Sequence, residues 1–163
     1  MKLKFTYQNL LIFLFLASLF ALISAYVSQY VFDLQPCVLC LHQRKPFFAS
    51  LIISGLFLSL PNLKEYQKLA SIITILLIIL NLFLAAYHVG VENKIFVGPS
   101  TCSNAQDAPN NIEDLKAMIE QTKAIRCDEP AFVFMNISMA GWNVIYCLFL
   151  AAISLYLVRK SKE

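Results

Sequence analysis

The chain has 163 residues, 59% of them hydrophobic and 14% charged, with a formal net charge of +3. A mean hydropathy of +0.67 excludes an ordinary soluble domain and indicates an integral membrane protein. The basic residues are scattered, with no Lys/Arg stripe interleaved with aromatics, so nucleic acid is not an expected partner.

Met1–Gln8 carries Lys2 and Lys4, and Leu10–Val31 is then almost wholly apolar. At about 1.5 Å per residue this run reaches about 33 Å, enough to cross the hydrocarbon core. A cleavable signal peptide would have a shorter apolar region, and Ile23-Ser24-Ala25 is a poor cleavage site, so a retained helix over 10–31 is expected. Asp33-Leu34-Gln35-Pro36 links it to a second helix, and Pro36 suits a helix start because a missing N–H costs nothing there.

Phe47–Leu60 is only 14 residues, short of a full span. The turn from Cys40 to Lys45 must therefore belong to the second helix, giving a span over about 40–60 that begins near the interface. Pro46 removes the bond that would end on the His42 carbonyl, which predicts a kink. Pro61-Asn62 ends the helix, and Lys64, Glu65 and Lys68 form a short turn.

Leu69–Val91 is the third span, with polar exceptions Ser71, Thr74, Asn81 and His88. His88 lies toward the same membrane face as Cys37, either as a satisfied interfacial histidine or as a hydrogen-bond donor to a ligand carbonyl. Residues 92–141 break the hydrophobic pattern. Gly98-Pro99-Ser100 and Asn104–Asn111 have loop chemistry. Ile112, Leu115, Met118, Ile119 and Ile125 follow at approximate helical spacing, with Asn111 as a cap. A short amphipathic helix on the membrane surface is expected there. Trp142–Val158 is the fourth span, lengthened by Ile137–Gly141, and Arg159, Lys160 and Lys162 close the chain. The expected fold is a single all-α membrane domain: a four-transmembrane-helix bundle with one long loop.

Four spans put both termini on one side. Lys2, Lys4, Lys64, Lys68, Arg159, Lys160 and Lys162 face only Glu65 and Glu163 there, while the 92–141 loop holds Lys94, Lys116, Lys123 and Arg126 against seven carboxylates. Lys/Arg excess marks the cytoplasmic side. The loop and the start of the second helix then lie outside, in an oxidising compartment where disulfides persist. Cys37, Cys40, Cys102 and Cys127 all fall on that side; Cys147 lies in an apolar run and is expected to be a packing residue.

The most informative stretch is Pro36-Cys37-Val38-Leu39-Cys40-Leu41-His42-Gln43-Arg44. Sulfurs at i and i+3 on a first helical turn share a face, and a helix N-terminus stabilises a thiolate. Arg44 projects from the same face about 6 Å deeper. A cation in a membrane helix costs about 2.5–3.5 kcal/mol at mid-helix, less near the surface, which calls for an anionic counterpart. Zinc is not expected, because Cys102 and Cys127 lack the close spacing of a second metal-binding pair. A Cys102–Cys127 bridge could brace the loop by about 3.5 kcal/mol. A Cys-x-x-Cys bridge closes too small a loop to brace much, which favours redox work. Two pairs on one side suggest a relay by thiol–disulfide exchange. The segment 92–101 could extend about 33–36 Å, letting Cys102 meet a soluble partner while Cys127 approaches Cys37. Four cysteines allow three pairings, and spacing does not choose among them. No flavin or nucleotide motif is present, so a lipid-soluble quinone is the expected final acceptor, with Arg44 stabilising developing negative charge.

The chain resembles the disulfide bond formation protein B (DsbB) family. The resemblance rests on Gln35-Pro36-Cys37-Val38-Leu39-Cys40 with Arg44, Tyr87-His88-Val89-Gly90-Val91-Glu92, Arg126-Cys127-Asp128-Glu129-Pro130 and Ser138-Met139-Ala140-Gly141-Trp142-Asn143. It implies a bacterial inner-membrane oxidoreductase that reoxidises a DsbA-like periplasmic thiol oxidase and reduces ubiquinone or menaquinone. Cys102 would form the mixed disulfide with the partner, and Cys127 would resolve toward Cys37. Cys40 would be left as the thiolate against the quinone, with Arg44 and His88 beside it. His42 and Gln43 receive no role. A relative dedicated to another thiol partner, a protein resembling vitamin K epoxide reductases, and a non-enzymatic scaffold with structural loop disulfides are the alternatives.

Overall fold

A computed structural model describes residues 6–99, 102 and 126–160. Four long helices dominate it: α1 (Tyr7–Tyr30), α2 (Val38–Ser59), α3 (Gln67–Glu92) and α4 (Met139–Lys160). The expected turn after α2 is a 3-10 helix, Pro61–Tyr66, with Pro61 at its start where no N–H is needed. The expected amphipathic helix at 112–125 lies outside the described residues.

The packing is centred on α3, which lies against both α2 and α4, while α1 packs mainly on α2. Leu10, Leu14, Phe47, Ile78, Cys147 and Leu150 form the main core. Small residues occupy the close helix contacts, with Ser18, Ser50, Ser54, Ser71, Thr74, Ala85 and Ala140 all buried. Such residues let helix backbones approach where lipid supplies no hydrophobic drive. Ser54, Ser71 and Thr74 donate to carbonyls one turn back on their own helices, so their hydroxyls need no other partner. Large apolar side chains such as Leu16, Phe20, Leu76, Phe83, Leu148 and Phe149 point outward instead. That inversion suits a lipid surround.

Among the described residues three helical stretches are long and apolar enough to cross a membrane: Tyr7–Tyr30, Asn62–Glu92 and Met139–Lys160. The second helix has 22 residues, but its early turns carry His42, Gln43, Arg44 and Lys45. It continues through Pro46, which is buried.

One local feature differs from the sequence expectation, and a second was not foreseen in it. Ile137 and Ser138 do not lengthen the last helix; they pair as a strand with Val133 and Phe134. Met135 and Asn136 make the connecting turn, both in the left-handed region. Paired positive φ values match the twist of a tight hairpin, and Asn tolerates them. The segment after α3 is also not extended. Ile95 and Phe96 donate back to the Gly90 carbonyl, and Tyr87 donates to the Val97 carbonyl. The Phe96 ring stacks on Tyr87 with centroids 5.7 Å apart. Gly90 permits this, since a Cβ there would collide with the Phe96 ring. The fold-back brings the chain toward Cys102 without a long reach.

Candidate active site

Cys37 is the N-cap of α2, with extended backbone angles, and its sulfur accepts the Cys40 N–H at 3.3 Å. A sulfur thus takes the place usually held by a Ser or Asp oxygen. The Cys37 and Cys40 sulfurs are 3.2 Å apart and unbridged. Cys102 and Cys127 are joined in a disulfide. All four meet in one place: Cys37, Leu39, Val91, Cys102 and Cys127 form a buried cluster, with Cys40 and Tyr87 packed on it. Sequence left the pairing open, and the structure shows a closed loop disulfide against an open Cys-x-x-Cys pair. The turn around Cys127 is pinned by its neighbours, because Arg126 donates twice to the Asp128 carboxylate, at 3.0 and 2.8 Å.

His88 is the next component. Its Nε2 lies 3.5 Å from the Cys37 sulfur, and its Nδ1 lies 2.8 Å from Gln43 Nε2. His88 is buried and faces a protein sulfur, which neither expected role had included. The Cys37, Cys40 and His88 ligand atoms all lie within 4.8 Å of one another, a set that could hold a metal ion. The spacing of Cys102 and Cys127 had pointed away from metal, and the third group of this set is instead His88, from another helix. Glu92, one turn on, lies 3.8 Å from His88 Nε2 and accepts a hydrogen bond from Ser138. The Cys37 thiol is held well below the usual thiol range, first by the hydrogen bond from Cys40 and then by His88, against the opposing effect of burial.

Cys40 and Arg44 line the same cavity of about 240 Å³, together with His88, Phe47, Trp142 and Tyr146. Arg44 donates to Gln29 Oε1 at 2.6 Å and to the Ala25 carbonyl at 3.4 Å, and its guanidinium lies 5.1 Å from the Tyr26 ring centroid. Among the described residues no carboxylate pairs with it. Neutral acceptors from α1 therefore fix its direction and leave its charge unneutralised.

Three polar residues escaped the sequence reading. Gln29 holds Arg44, Gln43 holds His88, and Asn143 donates to Gln43 Oε1 at 2.6 Å. Gln43 and Asn143 do sit inside the quoted motifs, yet their partners are 45 and 100 residues away. Only the folded bundle pairs them.

A membrane helix bundle with one disulfide closed, a second cysteine pair open beside it and a lined cavity below defines a thiol–disulfide protein of the membrane. The comparisons give it a family. The family model for disulfide bond formation protein DsbB matches residues 7–157, and the chain belongs to that family of membrane oxidoreductases. The uncharacterized protein RP370 of Rickettsia prowazekii (strain Madrid E) is 32% identical over 144 residues, covering 87% of this chain and 82% of that relative. No solved structure matches.

Proposed function

We propose that this protein oxidises a DsbA-like thioredoxin-fold dithiol in the periplasm and passes its two electrons to ubiquinone or menaquinone in the inner membrane. All four helices cross the bilayer in this reading, with both termini cytoplasmic. The observation that carries it is the contact between two cysteine pairs in opposite redox states, one of which also lines a cavity with a guanidinium.

The exchange balances without an outside oxidant until the last step. A partner thiolate attacks the Cys102 sulfur, the Cys102–Cys127 bond breaks, and the partner's second thiolate then displaces Cys102 to leave both loop thiols reduced. Cys127 attacks Cys37 in a Cys37–Cys40 disulfide, and Cys40 leaves as thiolate. Cys102 completes the transfer by displacing Cys37, which restores the loop bridge and leaves the reduced pair seen here. The Cys37–Cys40 dithiol would then close to a disulfide as its two electrons and two protons pass to the quinone substrate. Phe47, Trp142 and Tyr146 supply apolar and aromatic wall, Arg44 supplies positive charge, and Cys40 presents its sulfur to the same space. The N-terminal end of α2 and His88 stabilise the Cys37 thiolate once Cys102 has displaced it.

Purified protein supplied with a reduced thioredoxin-fold dithiol and a soluble quinone should reduce the quinone one-for-one with dithiol. Cys40→Ser should abolish turnover. Full quinone reduction by Cys40→Ser would refute the proposal, as would thiol oxidation that proceeds anaerobically without quinone.

A further inference from the structure

One hydrogen-bonded chain runs from the middle of the bundle to the reactive sulfur. Asn81 on α3 donates its Nδ2 to Cys147 Sγ on α4 at 3.5 Å. Cys147 donates to Asn143 Oδ1 at 3.5 Å, one turn back on α4. Asn143 Nδ2 donates to Gln43 Oε1 on α2, Gln43 Nε2 meets His88 Nδ1 on α3, and His88 Nε2 meets Cys37. Asn81, Cys147, Gln43, His88 and Cys37 are all buried.

The three links from Asn81 to Gln43 run in one direction, and amide chemistry carries it on to His88. An amide N–H can only donate, so Asn143 facing Gln43 through nitrogen turns the Gln43 nitrogen toward His88. His88 Nδ1 is then an acceptor, and the ring proton of the neutral imidazole sits on Nε2, aimed at Cys37. We infer that Gln43, Asn143 and Cys147 are positioning residues that lock His88 as a hydrogen-bond donor to the Cys37 thiolate. Aligned bonds polarise one another in a low-dielectric interior, so removal of a distant link weakens the last one. Cys147, which the exchange scheme leaves without a task, gains one here.

The inference rests on Cys37 being the redox thiol, but its test needs neither quinone nor partner. The ionisable groups around Cys37 are Cys40 from α2, Tyr87, His88 and Glu92 from α3, Arg126 and Glu129 from the segment before the hairpin, and the Cys102 and Cys127 thiols, which titrate once the loop bridge is reduced. Arg44 and Tyr146 line the adjoining cavity. All of them stay unchanged in the variants below. The full-length protein, reduced in detergent, is alkylated with iodoacetamide across pH, and modification of the Cys37 peptide is read by mass spectrometry. Cys147→Ala should raise the midpoint of Cys37 reactivity measurably, because the loss of a distant link depolarises the last donor in the series. Cys147→Ser, which keeps a donor, should return it toward the parent value. Asn143→Leu should shift it further, by about one unit. An unmoved midpoint in Cys147→Ala with its melting temperature retained would overturn the inference. So would a downward shift, which would mean the chain runs in the opposite direction with His88 as acceptor. If Asn143→Leu fails to fold, the Cys147 pair decides alone.

Discussion

Arg44 allows charge to be separated from packing. Its 2.6 Å hydrogen bond to Gln29 is charge-assisted, worth about 1.5–3 kcal/mol, and the Tyr26 ring adds about 0.5–1 kcal/mol. Replacement by Gln keeps a donor for Gln29 but removes the charge. Replacement by Lys keeps the charge but gives up the planar fork that reaches both Gln29 and the Ala25 carbonyl. Both variants should therefore lose about 1–3 kcal/mol of stability, a similar fall in melting temperature. Their quinone kinetics should diverge. A preorganised donor aimed at developing negative charge is worth about 10²–10³ in rate, so Arg44→Gln should lose about that factor in quinone kcat/KM, and Arg44→Lys should stay within about tenfold of the parent. Single-turnover exchange between a dithiol and Cys102–Cys127 should be within about threefold in both, since that disulfide belongs to the buried cysteine cluster. Stopped-flow absorbance of the quinone gives the first quantity and quenched alkylation the second. Equal quinone losses in Gln and Lys would show that shape matters and charge does not, and the argument for an electrostatic role would fail.

Three smaller perturbations follow from local geometry. Cys37 has a depressed thiol pKa in the folded protein, so its contribution is full above the unfolded value of about 8.5 and is lost as pH falls through the folded value. Chemical denaturation of the reduced protein against Cys37→Ser should show the advantage shrinking on acidification; an advantage that grows as pH falls would contradict the cause given. Gly90→Ala should cost about 1–3 kcal/mol and increase proteolysis of the 93–99 segment, because the new methyl displaces Phe96 from its stack on Tyr87. Ser138→Ala removes the hydroxyl that accepts the Gly141 N–H and donates to Glu92, and should lower stability by about 1–2 kcal/mol, with Ser138→Thr recovering most of it. Unchanged melting of Ser138→Ala would remove the cap from the account of how α4 begins.

The helices were legible because burial in lipid imposes long apolar runs, and α1 and α3 carry them almost without interruption. The start of α2 was legible for another reason: Pro36, two cysteines at i and i+3 and an arginine one turn on form a local pattern. The hairpin at Val133–Ser138 was not. Two-residue strands give no periodic signal, and Met135 in the left-handed region is the opposite of what turn statistics favour. The fold-back after α3 was hidden because the Gly90 contact depends on a ring six residues later. The polar support of the site was the least visible part. Gln29, Gln43 and Asn143 each have ordinary surface chemistry in sequence, and their significance comes from partners on other helices. Local pattern singled out the four cysteines that the structure gathers, while long-range packing selected the polar groups that surround them.

The two sulfurs of the open pair are not equivalent, and their inequality makes one further prediction. Cys37 accepts the Cys40 N–H, lies against His88 and packs on the loop disulfide, which makes it the better placed of the pair to attack that disulfide. The Cys40 sulfur lies 3.2 Å from that of Cys37, and Cys40 lines the cavity. With no acceptor in that cavity, the electrons of the pair have no outlet, but Cys37 still faces a disulfide. Attack of the Cys37 thiolate on the Cys127 sulfur breaks the Cys102–Cys127 bond and releases Cys102 as a thiolate, with no net change in oxidation state. Quinone-stripped protein held anaerobically should therefore contain a fraction with a Cys37–Cys127 bridge and free Cys102, detectable by alkylation before proteolysis and mass spectrometry. That fraction should grow in Cys102→Ser prepared under oxidising conditions, where Cys127 has lost its loop partner. If Cys102 stayed protected in the stripped protein and no Cys37–Cys127 peptide formed in Cys102→Ser, the closeness of the two pairs would be packing alone, and the relay would lose its first physical support.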